Sequence, residues 1–325
     1  MNKYNFTLII PSHNRHNYLR RSAAYFKSLD CDVIYCDSSH ISYDGSFAPN
    51  MKYLHLPETT FAEKILIALE YVATDFVALC ADDDFIMVDA LYKGVNILEQ
   101  FSDFKTIIGC NIGFHENFDN NFYFKNKPVL GEVNNKPCIN AKIFFKNYQQ
   151  VLWGLYDKQI VERSFTIIKK AEFENDNFIE LVLGGIACYM GGIKVLEDVW
   201  SVRELSSQLH WGDKHKSILT SFFDQDNTKD FKQFRQQLDR ETEKGFSKLV
   251  LTSYMNLSFT IKLKNTLKFI IRRLTLNKCP RPCSPEKTNY NDSFDKYPGL
   301  KVFNITQVEQ NALMKIYEVL KKSHE

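Results

Sequence analysis

The sequence FVALCADDDF, residues 76–85, places three consecutive carboxylates, Asp82, Asp83 and Asp84, directly after a short apolar run. The run has the length and composition of a buried strand, so it delivers acid to a strand tip. Adjacent carboxylates repel one another, and a fold tolerates them only where a cation or a set of donors neutralises the charge. A hard divalent ion with oxygen ligands does this, and Mg²⁺ characteristically joins one or two carboxylates to substrate phosphates. Capping of a helix that starts near Ile86 is the alternative, because negative charge favours a helix N-terminus. Capping accounts for one or two of the acids, not for three.

The chain before this stretch has a matching pattern. Residues 6–10 predict a first strand, broken at Pro11 by the turn PSHNR. A helix is expected over 18–29, a second strand over 32–36 ending in DSSH (37–40), and a third over 51–56. Thr60 and Glu63 form a capping box, and Phe61, Ile65, Leu69 and Val72 then step along one helical face. Continuous apolar strands alternating with such helices predict an α/β fold, a doubly wound and mostly parallel sheet flanked by helices. Ligands bind such sheets outside the carboxyl ends of the strands. Residues 11–15, 37–40 and 82–84 all fall there and are expected to line one crevice.

Farther along, a helix through Leu91, Val95 and Leu98 and a strand over 106–109 are expected, then a long excursion over 111–140. Residues 157–170 and 177–190 read as helices, 193–196 and 199–203 as strands, and the pattern turns helical beyond Trp211. The 325 residues carry a net charge of +2 with 44% hydrophobic residues, which suits a soluble globular protein and gives no global bias toward nucleic acid. Eight cysteines stand singly, as in a reducing, cytoplasmic setting, and Cys279 and Cys283 lack the second ligand pair a zinc site needs. The apolar run near the N-terminus is too short for a signal peptide, and the longest one, 181–193, is bracketed by Glu180 and Lys194 and too short to span a bilayer.

The segment LIIPSHNR (8–15) followed by YLRR (18–21) resembles the opening of bacterial family 2 glycosyltransferases of the GT-A fold. DSS (37–39) and the block from Glu63-Lys64 through TDFVALCADDDF (74–85) resemble a bacterial subgroup of that superfamily more closely. The resemblance is specific over 6–109 and looser to 204. It implies a GT-A catalytic domain over 1–212, with a nucleotide-sugar half (1–109) and an acceptor half (110–212), and says nothing of the rest, where the residue pattern predicts a helical extension over 213–325. It also implies transfer of a sugar, with inversion, from a nucleotide-diphosphate donor, foremost a UDP-sugar, to a hydroxyl of a surface-glycan or lipid-linked acceptor, with Mn²⁺ or Mg²⁺. Pro11, Ser12 and Arg15 would line the nucleotide site, Asp37 would meet the base or ribose, and Lys64 would face the nucleotide unless it is simply solvated. Asp82 and Asp84 would match the DxD motif as metal ligands, and Asp83 would hold the sugar or ribose; an acid at the middle position departs from the usual pattern.

Asp176 and Glu180 lie four apart, on one face if a helix includes both, and the segment resembles the family's acidic motif before its base-bearing helix. Either acid could be the general base, or Asp176 could be an N-cap. By the same resemblance Arg203 would meet the diphosphate, and His210 the diphosphate or the metal unless it is a surface or packing histidine. Trp153 and Tyr156 are read either as a sugar platform or as core. Between Lys244 and Pro285 there is no acidic residue, and residues 261–274 form a basic, apolar-faced segment suited to an anionic membrane surface; packing on the domain is its alternative. A final helix over 308–322 is expected to pack back. A sugar nucleotidyltransferase would carry a glycine-rich loop after the first strand, and PSHNR has no glycine; a scaffold without chemistry would not need the acids.

Overall fold

The computed structural model describes residues 4–114, 121–124, 136–204, 215–223, 228–274, 288–289 and 307–324. In chain order the elements are β1 (Phe6–Ser12), α1 (His16–Phe26), β2 (Asp32–Asp37), β3 (Met51–His55), α2 (Phe61–Leu69), β4 (Phe76–Leu79), β5 (Phe85–Ile86), α3 (Val88–Gln100), β6 (Phe104–Phe114) and β7 (Asn121–Phe124). They continue with α4 (Pro137–Lys146), β8 (Leu155–Asp157), α5 (Lys158–Ala171), α6 (Asn177–Met190), β9 (Gly192–Glu204), α7 (Ile218–Phe223), α8 (Thr228–Glu241), α9 (Phe246–Leu274), β10 (Thr288–Asn289) and α10 (Gln307–His324). The strands join one mixed sheet in the order β10-β7-β6-β8-β4-β1-β2-β3, with β9 laid along β6 and β5 paired to β9. Its long pairings, β4-β1-β2-β3 and β6-β9, are parallel.

Helices cover both faces, so each central strand is apolar throughout. Along β1 the side chains alternate between two layers: Ile9 joins the layer under α2, α5 and α6, while Leu8 and Ile10 join the layer under α1 and α3. The first layer continues into α8 and α9 through Phe234, Leu238, Phe246 and Val250. The second takes in Leu313, Ile316 and Leu320 of α10, which packs back as expected, and Glu309 there accepts a hydrogen bond from Val199 N at 2.9 Å.

Several boundaries differ from the expectations. The ladder does not stop at Pro11, since Pro11 and Ser12 pair with Cys36 and Asp37 of β2. Ile9 O accepts from Cys80 N and Ser12 O from Ser38 N, so the proline nitrogen, on the same side as Ile9, faces the side where β4 has already ended. No ladder bond is lost there. Strand β6 runs to Phe114, five residues beyond the expected Gly109, because β9 is one continuous strand that pairs with it to Glu204. β8 was not anticipated: three residues are too few for periodicity to show. Tyr156 on it is fully buried, which is the core reading of that ring. α3 begins at Val88 with Met87 at the N-cap and no side-chain cap, so Asp82–Asp84 do not cap it. Among the described residues no helix is long and apolar enough to cross a membrane.

Gly109 sits where the β6–β9 register shifts, and a Cβ there would lie 2.8 Å from Trp200 Cβ and 3.1 Å from Asp198 O. Neither atom is at the end of a flexible side chain. Gly109→Ala is therefore expected to destabilise the protein by about 1–3 kcal/mol, read as a lowered midpoint of urea unfolding at unchanged m-value; an unchanged midpoint would show that the two strands can part there.

Candidate active site

The carboxyl ends of β1, β2 and β4 meet beside the end of β9. β4 stops at Leu79, and Asp84 N turns back onto Ala81 O at 3.3 Å, which folds the three acids into a tight loop. Asp82 and Asp84, two apart, are each 3% exposed, and Asp83 between them is more open. Ser12 Oγ at the tip of β1 donates to Asp82 Oδ2 at 2.7 Å. Arg15 spans the loop, its Nη1 2.9 Å from Asp82 Oδ1 and its Nη2 2.6 Å from Asp83 Oδ2, with the guanidinium 4.1 Å above the Tyr18 ring. From the opposite side Arg203 Nε donates to Asp84 Oδ2 at 2.8 Å, and Glu204 N to Asp84 Oδ1 at 3.1 Å.

A second, deeper pair locks this arrangement. Arg21 of α1 donates to Glu204 Oε2 at 2.5 Å and to the Asp83 carbonyl at 2.8 Å, and Tyr18 Oη donates to Glu204 Oε1 at 3.0 Å. One helix thus reaches both the acidic loop and the end of β9. Tyr18 and Arg21 enter the sequence reading only within YLRR (18–21), and nothing local in sequence joins them to Glu204.

Lys64 is buried, not solvated: at 5% exposure its Nζ donates to Ser12 O at 2.6 Å and Ser38 Oγ at 3.0 Å. Burial lowers its pKa against the pull of Cys36, Asp82 and Asp37. Asp37 is wholly buried. Its Oδ1 accepts from Ser39 N and Ser39 Oγ, and its Oδ2 from Tyr53 Oη at 2.8 Å, with His16 Nε2 3.4 Å away. The carboxylate therefore holds the DSS turn, which in turn holds Asn14 N through Ser39 Oγ at 2.7 Å, with Asn14 at φ +55°. Pro11, buried in the same strand end, offers only its ring and carbonyl to this wall.

Glu180 of α6 is tied to the same region by Gln150 and Arg203. Arg203 Nη1 donates to Gln150 Oε1, Gln150 also bonds Glu180, and Tyr148 Oη donates to Glu180 Oε2. Burial raises the Glu180 pKa, opposed by Tyr148, Gln150 and Arg203. Asp176, one turn earlier on that face, makes no side-chain cap bond; Asn175 caps Asn177 N instead. A quarter of Asp176 is exposed, and its Oδ2 lies 3.1 Å from His215 Nε2. His210 lies outside the described residues.

Six carboxylates, Asp37, Asp82, Asp83, Asp84, Glu180 and Glu204, thus face four cationic side chains, Arg15, Arg21, Lys64 and Arg203. Burial raises Asp82 above the usual carboxylate range, with Arg15 opposing it and Asp83 adding to it; burial does the same to Asp84 against Arg203. For Arg15 burial works against the charge, but Asp82 and Asp83 outweigh it and raise its pKa. Uncompensated negative charge on hard oxygen donors fits Mg²⁺ or Mn²⁺. Among the described residues no three acids, histidines or cysteines converge on one point. Such an ion would therefore need oxygens from a bound phosphate to complete its shell.

No protein-family model matches the sequence, and a search of curated proteins likewise finds no match. Solved structures do match in fold. S. aureus TarS 1–349 in complex with UDP-GlcNAc superposes with a TM-score of 0.50 at 14% identity, over 79% of this chain and 73% of that one. A longer S. aureus TarS structure gives 0.52 at 13% identity over 98% of this chain, which spans 54% of that protein's length. The class these define is the Rossmann-like GT-A glycosyltransferase fold: a mixed, mostly parallel sheet flanked by helices.

Because Asp82 and Asp84 bind protons more tightly folded than unfolded, their contribution to stability is complete below about pH 4 and lost as pH climbs through their raised folded values. In metal-free buffer Asp82→Asn is expected to flatten the fall in thermal midpoint between about pH 5 and pH 8. A variant that falls as steeply as wild type would show that Asp82 is not the group responsible.

Proposed function

We propose that this protein transfers a sugar from a UDP-sugar to a hydroxyl of a bacterial surface-glycan or lipid-linked acceptor, with inversion at the anomeric carbon. The observation that carries this reading is the meeting of Ser12, Arg15, Lys64, Asp82–Asp84 and Arg203 at the carboxyl ends of parallel strands, beside Glu180 of α6. The fold is shared with a protein seen in complex with UDP-GlcNAc, which supports a UDP-sugar as donor. Ser12 and Arg15 would bind the nucleotide side of the donor. Asp37 and Lys64, both buried, would hold the loop that receives the nucleotide, and Asp83, the most open of the three acids, would meet the ribose or sugar.

Asp82 and Asp84, with His210, would hold Mn²⁺ or Mg²⁺, and the ion would supply charge to offset the diphosphate as it leaves. Arg203 would share that work through its guanidinium. The attacking hydroxyl must lose a proton to a group it can touch. Glu180 already accepts from Tyr148 and bonds Gln150, so its role is to hold Gln150 and Arg203 in place. Asp176 is exposed enough to meet an acceptor, and His215 orients it; Asp176 is the base. The acceptor oxygen bonds to the anomeric carbon as the bond to UDP breaks, and the proton passes to Asp176.

Beyond its packed first half, α9 leaves Phe259, Ile261 and Leu263 about half exposed, in the stretch that carries Lys262, Lys264, Lys268, Arg272 and Arg273. Apolar side chains among cations suit an anionic membrane surface, where each cation contributes about 1 kcal/mol. Such a surface would hold the enzyme where a lipid-linked acceptor is reached, and the exposed apolar side chains support that reading.

Calorimetry with UDP, GDP, CDP and dTDP, each with and without Mn²⁺, tests the donor assignment. UDP is expected to bind selectively and with metal, and Asp84→Ala to weaken it at least about tenfold, or about 1.4 kcal/mol; absence of nucleotide binding would sink the reading. Asp176→Asn should then lower kcat by about 10²–10⁴ with donor affinity kept, and Glu180→Gln by less. For the membrane face, changing Lys264, Lys268, Arg272 and Arg273 to Gln should move the protein from anionic liposomes to the supernatant, and unchanged partition would exclude electrostatic attachment.

A further inference from the structure

The turn that carries Asp176 is held by groups that come later in the chain, in the helical extension. Asp230 in the first turn of α8 is wholly buried, and both its oxygens are used on consecutive backbone donors: Oδ1 accepts from Glu174 N at 3.1 Å and Oδ2 from Asn175 N at 2.8 Å. Asn175 is also wholly buried. Its Nδ2 donates to Lys216 O at 3.0 Å and to Ser221 Oγ at 3.4 Å, and Asn177 Nδ2 donates to the same Lys216 carbonyl at 3.3 Å. His215, the neighbour of Lys216, reaches Asp176 itself. Below this polar layer Phe178 packs edge-on against Phe231 of α8 at 5.0 Å.

A buried carboxylate is retained only where donors meet its charge, and two backbone N–H groups plus the N-terminal end of α8 do so here. Both donors point at one side chain, so the peptide planes just before Asp176 have little freedom to rotate. The chain needs such a hold at this point, because Glu172 leaves α5 at φ +47° and only a few residues connect it to α6. We infer that Asp230 is a positioning residue for Asp176: the helical extension clamps residues 174–177 through Asp230, Lys216 and His215, and so belongs to the catalytic unit. The inference rests on the glycosyl-transfer reading for what Asp176 does, and on geometry alone for how Asp176 is held.

Asp230→Asn keeps the shape but replaces one acceptor oxygen by an NH₂ group that opposes an N–H. Hydrogen–deuterium exchange of the full chain is expected to show amides 174–177 at least about tenfold faster than in wild type, with peptides covering residues 12–15 and 82–84 unchanged. UDP affinity in the presence of Mn²⁺, by calorimetry, should stay within about twofold, while turnover of UDP-GlcNAc with water as acceptor falls at least about tenfold at unchanged KM. In that reaction water oxygen bonds to the anomeric carbon, UDP leaves with the bonding pair, and Asp176 takes the proton. Asp230→Ser, which retains one acceptor, should lie between the two proteins. Unchanged exchange at 174–177, equal acceleration everywhere, or loss of folding in both variants would overturn the clamp. A wild-type protein that binds no UDP would instead sink the glycosyl-transfer reading, and the exchange data would still judge the clamp.

Discussion

Three adjacent carboxylates, two of them buried, cannot keep their charge at a strand tip unless cations or other donors are brought to them, and the fold brings cations from several directions. Arg15 arrives from the turn after β1, Arg203 from the end of β9, and Arg21 from α1 by way of Glu204 and the Asp83 carbonyl. Each contact needs a different pair of elements in register. The Arg21–Glu204 pair is almost fully buried, so either charge alone would be strongly destabilising, although the intact pair adds little net stability. Its value is geometric: it ties α1, the acidic loop and β9 into one rigid end of the sheet.

That rigidity explains how a site of mostly charged groups keeps its shape. Arg15 lies over Tyr18, Lys64 is spent on backbone and hydroxyl oxygens, and Asp37 is saturated by Ser39 and Tyr53. Asp83, held by Arg15, is the most exposed of the three adjacent acids, and Asp176, beside His215, is a quarter exposed. Burial raises Asp82 and Asp84, so their charged forms are held only by the cations and donors packed against them.

Much of the fold was legible because it rests on local pattern. The continuous apolar runs of β1, β2 and β4, the capping box of α2 and the apolar face of α6 are set by neighbours within a few residues, and all are present. What was missed has no local signal. β5 and β8 are two and three residues long and exist only as bridges to β9, β4 and β6. β1 continues through Pro11 because β4 has ended on that side, a fact about a different segment.

The candidate site divides the same way. Residue type and strand-end position singled out Asp82, Asp83 and Asp84 from the sequence, since charge at the tip of an apolar run stands out by itself, whereas Ser12, Arg15, Lys64, Asp176, Glu180 and Arg203 were assigned through the family resemblance. Tyr18, Arg21, Tyr148, Gln150, Glu204 and Asp230 gained roles only through partners distant in the chain. Their side chains are ordinary surface types by composition, and what makes them structural is desolvation, which depends on what the folded chain packs over them. The sequence by itself determined which strands are buried and where acid is delivered. Only the tertiary structure decided which cation meets which acid, because that depends on the register of strands and helices brought together from segments distant in the chain.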